Sequence, residues 1–283
     1  MKTLFIPCSF DGLPRAAGSR LIRCEWVAAY WEGAEVYDGT QSFSDADLVI
    51  FQKAYLSDRS RNLLRQLHAW RSVSHRPALC FDLCDPDFLD DTHRERLLKV
   101  LPLFDFATAS TAPLQDWLGQ YLPAYEVPDG INQAAITARH TDSGSTSPRI
   151  VWMGYQGNSG ALSAIAGAMV DLGLTGDIVA VEKPQPFGAF CQQLSEYDIL
   201  LNPRPDHWVY RYKSNNKTLV AWEIGVAVAR DGDELGYLLD PLERSIQVEA
   251  GRDYIARFAS MPHIVARWRE ICTQEGLDAT SAD

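Results

Sequence analysis

"YDILLNPRPDHWVYRYKSNNKTLVAWEIGVAVA", residues 197–229, is the stretch on which the fold turns. A leucine-rich run at 197–203, a polar loop, a helix-period segment at 214–224 and a short apolar run at 226–230 follow one another in it. This is the grammar of a βαβ unit, in which strands covered on both faces read as near-continuous apolar runs. Lys213, Asn215, Asn216 and Lys217 crowd the start of the helix. Cations there oppose the helix macrodipole, so nothing local favours them. A bound polyanion would, because it meets both ammonium groups and the free N–H groups of the first turn. The alternative is that both lysines reach into solvent or pair with the chain's many acids.

The same alternation extends upstream. Strand-like runs at 3–8, 47–52, 78–83 and 104–110 are separated by helix-period segments at 18–31, 57–71, 89–100 and 112–121. The pattern stops where Gly, Ser, Thr and Pro concentrate at 141–148, then restarts with strands at 149–154 and 177–182 and helices at about 159–172 and 188–196. An α/β fold of two Rossmann-like, doubly wound domains is expected: 1–140, a linker, and 149–250. An amphipathic segment at 251–274 opens a C-terminal helical part, 251–283, long enough to return toward the N-terminal domain. Facing doubly wound domains imply a ligand cleft, since such sheets bind at the carboxyl ends of their strands.

Composition narrows the function classes. The chain has 283 residues, 46% of them apolar, and a formal net charge of −11. That charge argues against a large basic surface for duplex nucleic acid, whose binding depends on neutralised phosphates. One local patch stands out: Lys53, Arg59, Arg61, Arg65, Arg71 and Arg76 against the single acid Asp58. Leu63, Leu64, Leu67 and Trp70 recur there at helical spacing and leave the arginines on the other face, either solvated or touching an anionic acceptor or membrane surface. Nothing approaches the roughly 20 apolar residues of a membrane span, and "MKTLFIPCSF" lacks the pattern of a signal peptide, so a cytoplasmic protein is expected. Cys8, Cys24, Cys80, Cys84, Cys191 and Cys272 show no metal-ligand spacing and read as free buried thiols. Oligomeric state is left open.

Three loops of the second half carry candidate chemistry. In "GYQGNSG", Gly154, Gly157 and Gly160 let backbone approach a ligand, Tyr155 follows the strand, and Asn158 or Ser159 is placed to cap a helix facing an anion. Lys183 follows the next strand. Asn202 and Arg204 end the strand after that, and Arg211, Lys213, Asn216 and Lys217 gather beyond it. In the first half, Asp11 lies after the first strand and Asp82 and Asp85 at the end of the 78–83 strand, where each could orient or deprotonate a hydroxyl. The bland readings are a turn for Asp11 and helix capping for Asp85 and Asp87.

In this order the motifs resemble the GT-B glycosyltransferases, above all their large retaining family 4 group. "YDILLNP…KSNNKTLVAWEIGVAVA" is similar to that group's donor-side strand, lysine-serine helix and following strand. "GSRLIRCEWVAAYWEGAEVY", "ADLVIFQKAY", "CFDLCDPD", "ATASTAPLQDWL", "YEVPDGIN" and "RIVWMGYQGN" resemble, in sequence, its opening helix, its N-domain strands and the start of its donor domain. The likeness runs from about residue 14 to 230. It implies a nucleotide-diphosphate sugar held by the second domain and an acceptor by the first. Gly154, Lys213, Ser214 and Lys217 match the donor positions, and Ser19, Arg20 and Arg23 match the N-domain helix start, where they would meet the acceptor or the donor phosphates. Both carboxylates of the group's paired-glutamate motif are missing: Tyr212 and Val220 stand in their places. Glu223 lies on the same helical face, about 4.5 Å farther along the axis, and is the nearest acid that could reach a ribose.

Glycosyl transfer must stabilise a departing diphosphate, and Arg211, Lys213 and Lys217 are the candidates for that work. No DxD-like metal motif is evident in a donor loop, so neither metal nor other cofactor is expected. Retention of configuration, and hexosyl or pentosyl transfer, are what the resemblance suggests. Three readings stay open: a transferase acting on a glycan or small-molecule hydroxyl, a non-catalytic sugar-nucleotide or glycan binder, and a transferase acting on a hydroxylated nucleobase in DNA.

Overall fold

Six strands of the first half form one all-parallel sheet in the order β2-β1-β3-β4-β5-β6. They are β1 (Thr3–Ile6), β2 (Ala34–Val36), β3 (Leu48–Gln52), β4 (Ala78–Leu83), β5 (Phe106–Ala109) and β6 (Ala124–Glu126). The four central strands are the near-continuous apolar runs of the sequence, and Leu4, Phe5, Leu48, Val49, Phe51 and Phe81 are wholly buried in them. This computed structural model describes residues 1–8, 18–70, 77–181, 185–205 and 209–277.

The helices covering this sheet begin with α1 (Gly18–Arg20), which runs through a π-turn at Leu21–Glu25 into α2 (Trp26–Tyr30). They continue with α3 (Asp58–Ala69), α4 (Asp91–Val100) and α5 (Ala112–Leu118). Side-chain oxygens satisfy the free N–H groups at two of their starts: Ser57 accepts from Ser60 at 3.2 Å, and Asp90 from His93 at 2.8 Å. The capping expected of Asp85 or Asp87 therefore falls to Asp90.

A second parallel sheet has the order β10-β9-β7-β8, from β7 (Ile150–Tyr155), β8 (Asp177–Val181), β9 (Ile199–Leu201) and β10 (Ala227–Ala229). Around it lie α6 (Ser163–Asp171), α7 (Phe187–Leu194), α8 (Asn216–Ile224), α9 (Gly232–Tyr237) and α10 (Pro241–Tyr254). Edge strand β8 departs from the expectation of burial on both faces, with Ile178 63% exposed. The other edge, β10, is blunted by a side chain: Gln247 accepts from the Val228 N–H at 2.7 Å and donates to the Val228 carbonyl at 2.9 Å, imitating a neighbouring strand.

Contacts divide the chain into two units: Met1–Asp129, Tyr212–Ser214 and Met261–Asp283 in the first, Gly130–Arg211 and Asn215–Ser260 in the second. The segment read as a linker, 141–148, thus lies inside the second unit. It is held there by Asp198, which accepts from Ser143 N–H, and by Arg244, which donates to Asp142 and the Ser145 carbonyl. The single C-terminal helix expected from 251 is interrupted. After a π-turn at Ile255–Ala259, Ser260 is extended and bridges Ile131, and α11 (Met261–Gln274) begins with Pro262 in its first turn, where proline is tolerated. α11 belongs to the first unit because Trp268, 1% exposed, packs on Phe5 and Trp31 at ring distances of 6.0 and 5.9 Å. All six cysteines are buried and free. No helix among the described residues is long and apolar enough to cross a membrane.

Candidate active site

In an open parallel sheet, ligands bind beyond the carboxyl ends of the strands where the strand order reverses. In the second unit that point lies between β7 and β9. Lys217, in the first turn of α8, stretches to it: its Nζ donates to the Met153 carbonyl at 2.9 Å and lies 5.5 Å from the centre of the Trp152 ring. Gly154 follows directly, and a Cβ there would come within 2.7 Å of the Lys217 Nζ and 3.0 Å of the Trp152 ring. The glycine thus leaves room for the lysine tip, which any side chain here would displace. Asn202, just past β9, donates to Thr218 of α8 at 3.1 Å, tying strand end to helix. The Asn216 side-chain nitrogen is buried there with no hydrogen-bond partner among the described residues.

The rest of this unit's candidates are less concentrated. Tyr155 ends β7 and is 58% exposed. Gln156–Leu162 forms a 3-10 segment without a side-chain cap, and α6 starts only at Ser163, so Asn158 is exposed and caps nothing. Arg204 is half-buried, and burial together with the charge of Arg230 pushes its guanidinium pKa down. Arg211 is exposed in the turn Tyr210–Tyr212. Glu223 does not replace the missing glutamate: it is 6% exposed, and its carboxylate accepts from Gln133 at 2.8 Å and pairs with Arg139 at 3.5 Å. Val220 is 1% exposed, so its position is closed to a ligand as well. Asp11 and Lys183 lie outside the described residues.

The first unit gathers a different set at the ends of β3 and β4, beside its own reversal point between β1 and β3. Asp85 is flanked by two ammonium groups, Lys53 at 2.6 Å and Lys213 at 2.9 Å. Burial alone would raise the Asp85 carboxyl, but these two charges outweigh it and hold the pKa below its ordinary 3.8. A carboxylate so held is a weak proton acceptor. Lys53 also meets Asp87 at 3.0 Å, and Asp87 accepts from the Tyr55 hydroxyl. Lys53 is 7% exposed and is thus no part of a basic surface; of its expected partners there, Arg61 is engaged by Asp58 and the Tyr55 carbonyl.

Tyr212, Lys213 and Ser214 all find partners in this unit. Tyr212 is 6% exposed, edge-on to Phe88 at 5.2 Å, and its carbonyl accepts from Thr111 at 3.3 Å. Ser214 hydrogen-bonds Asp129. The two acceptor candidates Arg23 and Asp82 prove to be core residues, 4% and 1% exposed. Arg23 binds Asp82 through two nitrogens, at 2.5 and 3.2 Å, and also reaches the Val127 carbonyl and Asp129, while Thr108 donates to Asp82 at 2.8 Å. Four hydrogen bonds of Arg23 and both oxygens of Asp82 are thus spent inside the core, which leaves neither side chain exposed to an acceptor. Arg20 pairs with Glu25 at 2.7 Å, and Ser19 hydrogen-bonds the Cys8 thiol.

One group of metal-ligand type occurs among the described residues, His140, Asp142 and Asp198. Its carboxylates are already engaged: Asp142 by Arg244 at 2.5 and 2.9 Å, Asp198 by the N–H groups of Ser143 and Arg149 at 2.9 and 2.7 Å. Sequence spacing does not reveal this group, because Asp142 falls in the presumed linker, His140 at the end of the range read as the first domain, and Asp198 more than 50 positions on.

No family model matches the sequence, and no curated protein matches it. Solved structures do. HepE of Anabaena, in complex with UDP and glucose, superposes with a TM-score of 0.58 at 12% identity, over 97% of this chain and 100% of that one. An alpha-glucosyltransferase in complex with UDP and a 13-mer DNA gives 0.64 at 10% identity, over 96% and 98%. A trehalose-phosphate synthase from Burkholderia vietnamiensis gives 0.51 at 10% identity, over 84% and 75%. The chain has the GT-B fold these proteins share.

Proposed function

We propose, from this fold and the cation at its second reversal point, that the protein is a glycosyltransferase. It moves a hexosyl or pentosyl group from a nucleotide-diphosphate sugar to an acceptor hydroxyl, with retention of configuration and without a metal. The observation that carries the reading is Lys217 beside Gly154. A half-buried ammonium is held by a carbonyl and an indole face where a doubly wound sheet receives its ligand, and the neighbouring glycine leaves room for it. Transfer leaves negative charge on the departing diphosphate, and a preorganised cation stabilises that charge without reorganising. Arg204 and Arg211 are further cations that this unit offers, Tyr155 offers a face for the base, and Asn202, Asn216 and Lys217 offer side-chain nitrogens. The UDP named in the complexes of similar fold makes uridine the first base to try.

The acceptor is a glycan or small molecule on this reading. The DNA alternative is supported by one structure of similar fold whose complex contains DNA, and opposed by the net charge of −11 and by the engagement of Lys53 and Arg61.

Calorimetric titration with UDP, GDP, dTDP and ADP is the deciding experiment. One of the four binds, and Lys217→Ala weakens it by about tenfold or more, the loss of a charge-assisted contact of about 1.5–3 kcal/mol. Binding of none, or binding that Lys217→Ala leaves unchanged, overturns the reading. Release of the same nucleotide from its sugars in the presence of EDTA tests catalysis and metal independence together. Saturable binding without turnover on any acceptor favours a non-catalytic binder, and a steep salt dependence of DNA affinity favours the nucleobase reading.

A further inference from the structure

Helix α10 and the π-turn after it carry apolar side chains on two opposite sides. Arg244, Val248, Gly251, Ile255 and Ala259 are buried and fix the segment within the second unit. On the other side Leu242, Ile246, Tyr254 and Phe258 are exposed by between 45% and 63%, and Ala250 among them is exposed as well. These five stand four positions apart, a stripe that drifts by about 40° per step on an α-helix. The π-turn has more residues per turn and swings Phe258 back beneath Tyr254, so that the two rings meet at 5.4 Å. Trp222 of α8 backs Tyr254 edge-on at 6.4 Å. A surface helix turns its charged face to water, so an apolar stripe of this length on a helix already packed from behind marks an interaction surface.

Charge identifies the partner. Glu243, Glu249 and Asp253 outnumber Arg252 and Arg257 along the segment, which together with the net charge of −11 opposes docking on anionic lipid. The segment is instead complementary to itself. Leu242 and Phe258 lie eight positions to either side of Ala250, Glu243 and Arg257 seven, and Ile246 and Tyr254 four. Two copies crossing antiparallel about a two-fold axis at Ala250 therefore set Leu242 against Phe258, Ile246 against Tyr254 and Glu243 against Arg257, each pair twice, with the smallest side chain of the stripe at the crossing. A parallel pairing would set every charge against its own kind.

We propose that this outer face of α10 is a homodimer interface, in which a second copy of the chain packs its own α10 antiparallel across Ala250. At the ~150–250 Å² of a large aromatic side chain, the stripe offers on the order of 500 Å² per copy. Two copies then bury about 1,000 Å², the lower bound of a specific contact, and the dimer is accordingly a weak one with a Kd of about 1–100 µM. The inference stands apart from the nucleotide reading, since every residue it uses lies outside the candidate site.

Sedimentation equilibrium of the full chain at low salt, from about 1 to 500 µM, tests it, with thermal unfolding of each variant recorded alongside. Wild type passes from monomer to dimer in that range. Ile246→Glu, which puts a charge into the stripe, weakens the dimer by about a hundredfold or more. Glu243→Arg and Arg257→Glu each weaken it by about three- to tenfold, because each sets like charges against one another. An equimolar mixture of these two single variants recovers the affinity of wild type, since opposite charges then meet at both ends of the crossing. That recovery also keeps the test sound if Ile246→Glu does not fold. A wild type monomeric throughout the range, a dimer that Ile246→Glu leaves intact, or single charge variants that dimerise like wild type or fail to recover on mixing each overturns the interface. So does a monomeric wild type that sediments with vesicles of phosphatidylcholine and phosphatidylglycerol, an outcome that would assign the stripe to a lipid surface.

Discussion

A guanidinium removed from water must find its hydrogen bonds within the protein, and Arg23 finds them at Asp82, Asp129 and the Val127 carbonyl. The pair is 59 positions apart in the chain and is brought together only by the packing of the first helical segment over β4. Asp82→Ala leaves Arg23 buried beside Asp129 alone and is expected to cost about 3–5 kcal/mol, as broken buried pairs do. Urea unfolding checks this. A raised acceptor KM at unchanged stability would instead restore Asp82 to the acceptor site. Glu223 teaches the same lesson. Its type and helical face were readable one residue at a time, but its partners Gln133 and Arg139, distant in sequence, were not.

At the scale of elements, α8 is fixed by what lies behind it. Gly225, at φ 111°, closes the helix in the left-handed conformation that glycine adopts without strain. α10 crosses it so closely that a Cβ at Gly251 would come within 2.3 Å of the Trp222 ring. Gly251→Ala is therefore expected to lower stability by about 1–3 kcal/mol through overpacking. Trp222→Leu in the same chain should recover part of the loss, and thermal unfolding of the single and double variants reads both effects. Such pairing of a small and a large residue across two helices leaves no periodic signal. The alternation of strand and helix does, because it depends on neighbours two to four positions away, and most strands and helices therefore stand where the periodicity predicts them.

The whole molecule carries more acid than base, and its response to pH follows from where the acids sit. Asp142 and Asp198 titrate below their ordinary 3.8, as Asp85 does: Asp142 is held down by Arg244, and Asp198, despite burial, by the Arg149 and Ser143 N–H groups. A carboxyl lowered in the folded state stabilises above its unfolded pKa, and that stability is lost as pH falls through the folded value. Asp129 works in the opposite sense, raised by burial against the pull of Arg23. With these three, and the exposed Glu95 held down by Lys99, against one, unfolding free energy should fall as pH is lowered from about 5 through the carboxylate range. Urea titrations across that range check it, and a stability that rises toward acid would contradict these assignments. By itself the sequence determined the parallel α/β architecture, the repeat of the βα pattern in two halves, the glycine at the end of β7 and the lysines around α8, because hydrophobic period and turn chemistry are local. Only the tertiary structure decided which charged groups are free to act. Lys217 meets Met153 across 64 positions because β7 and β9 lie side by side in one sheet, and Lys213 meets Asp85 across 128 because Tyr212–Ser214 packs with the first unit; no stretch of sequence contains either relation.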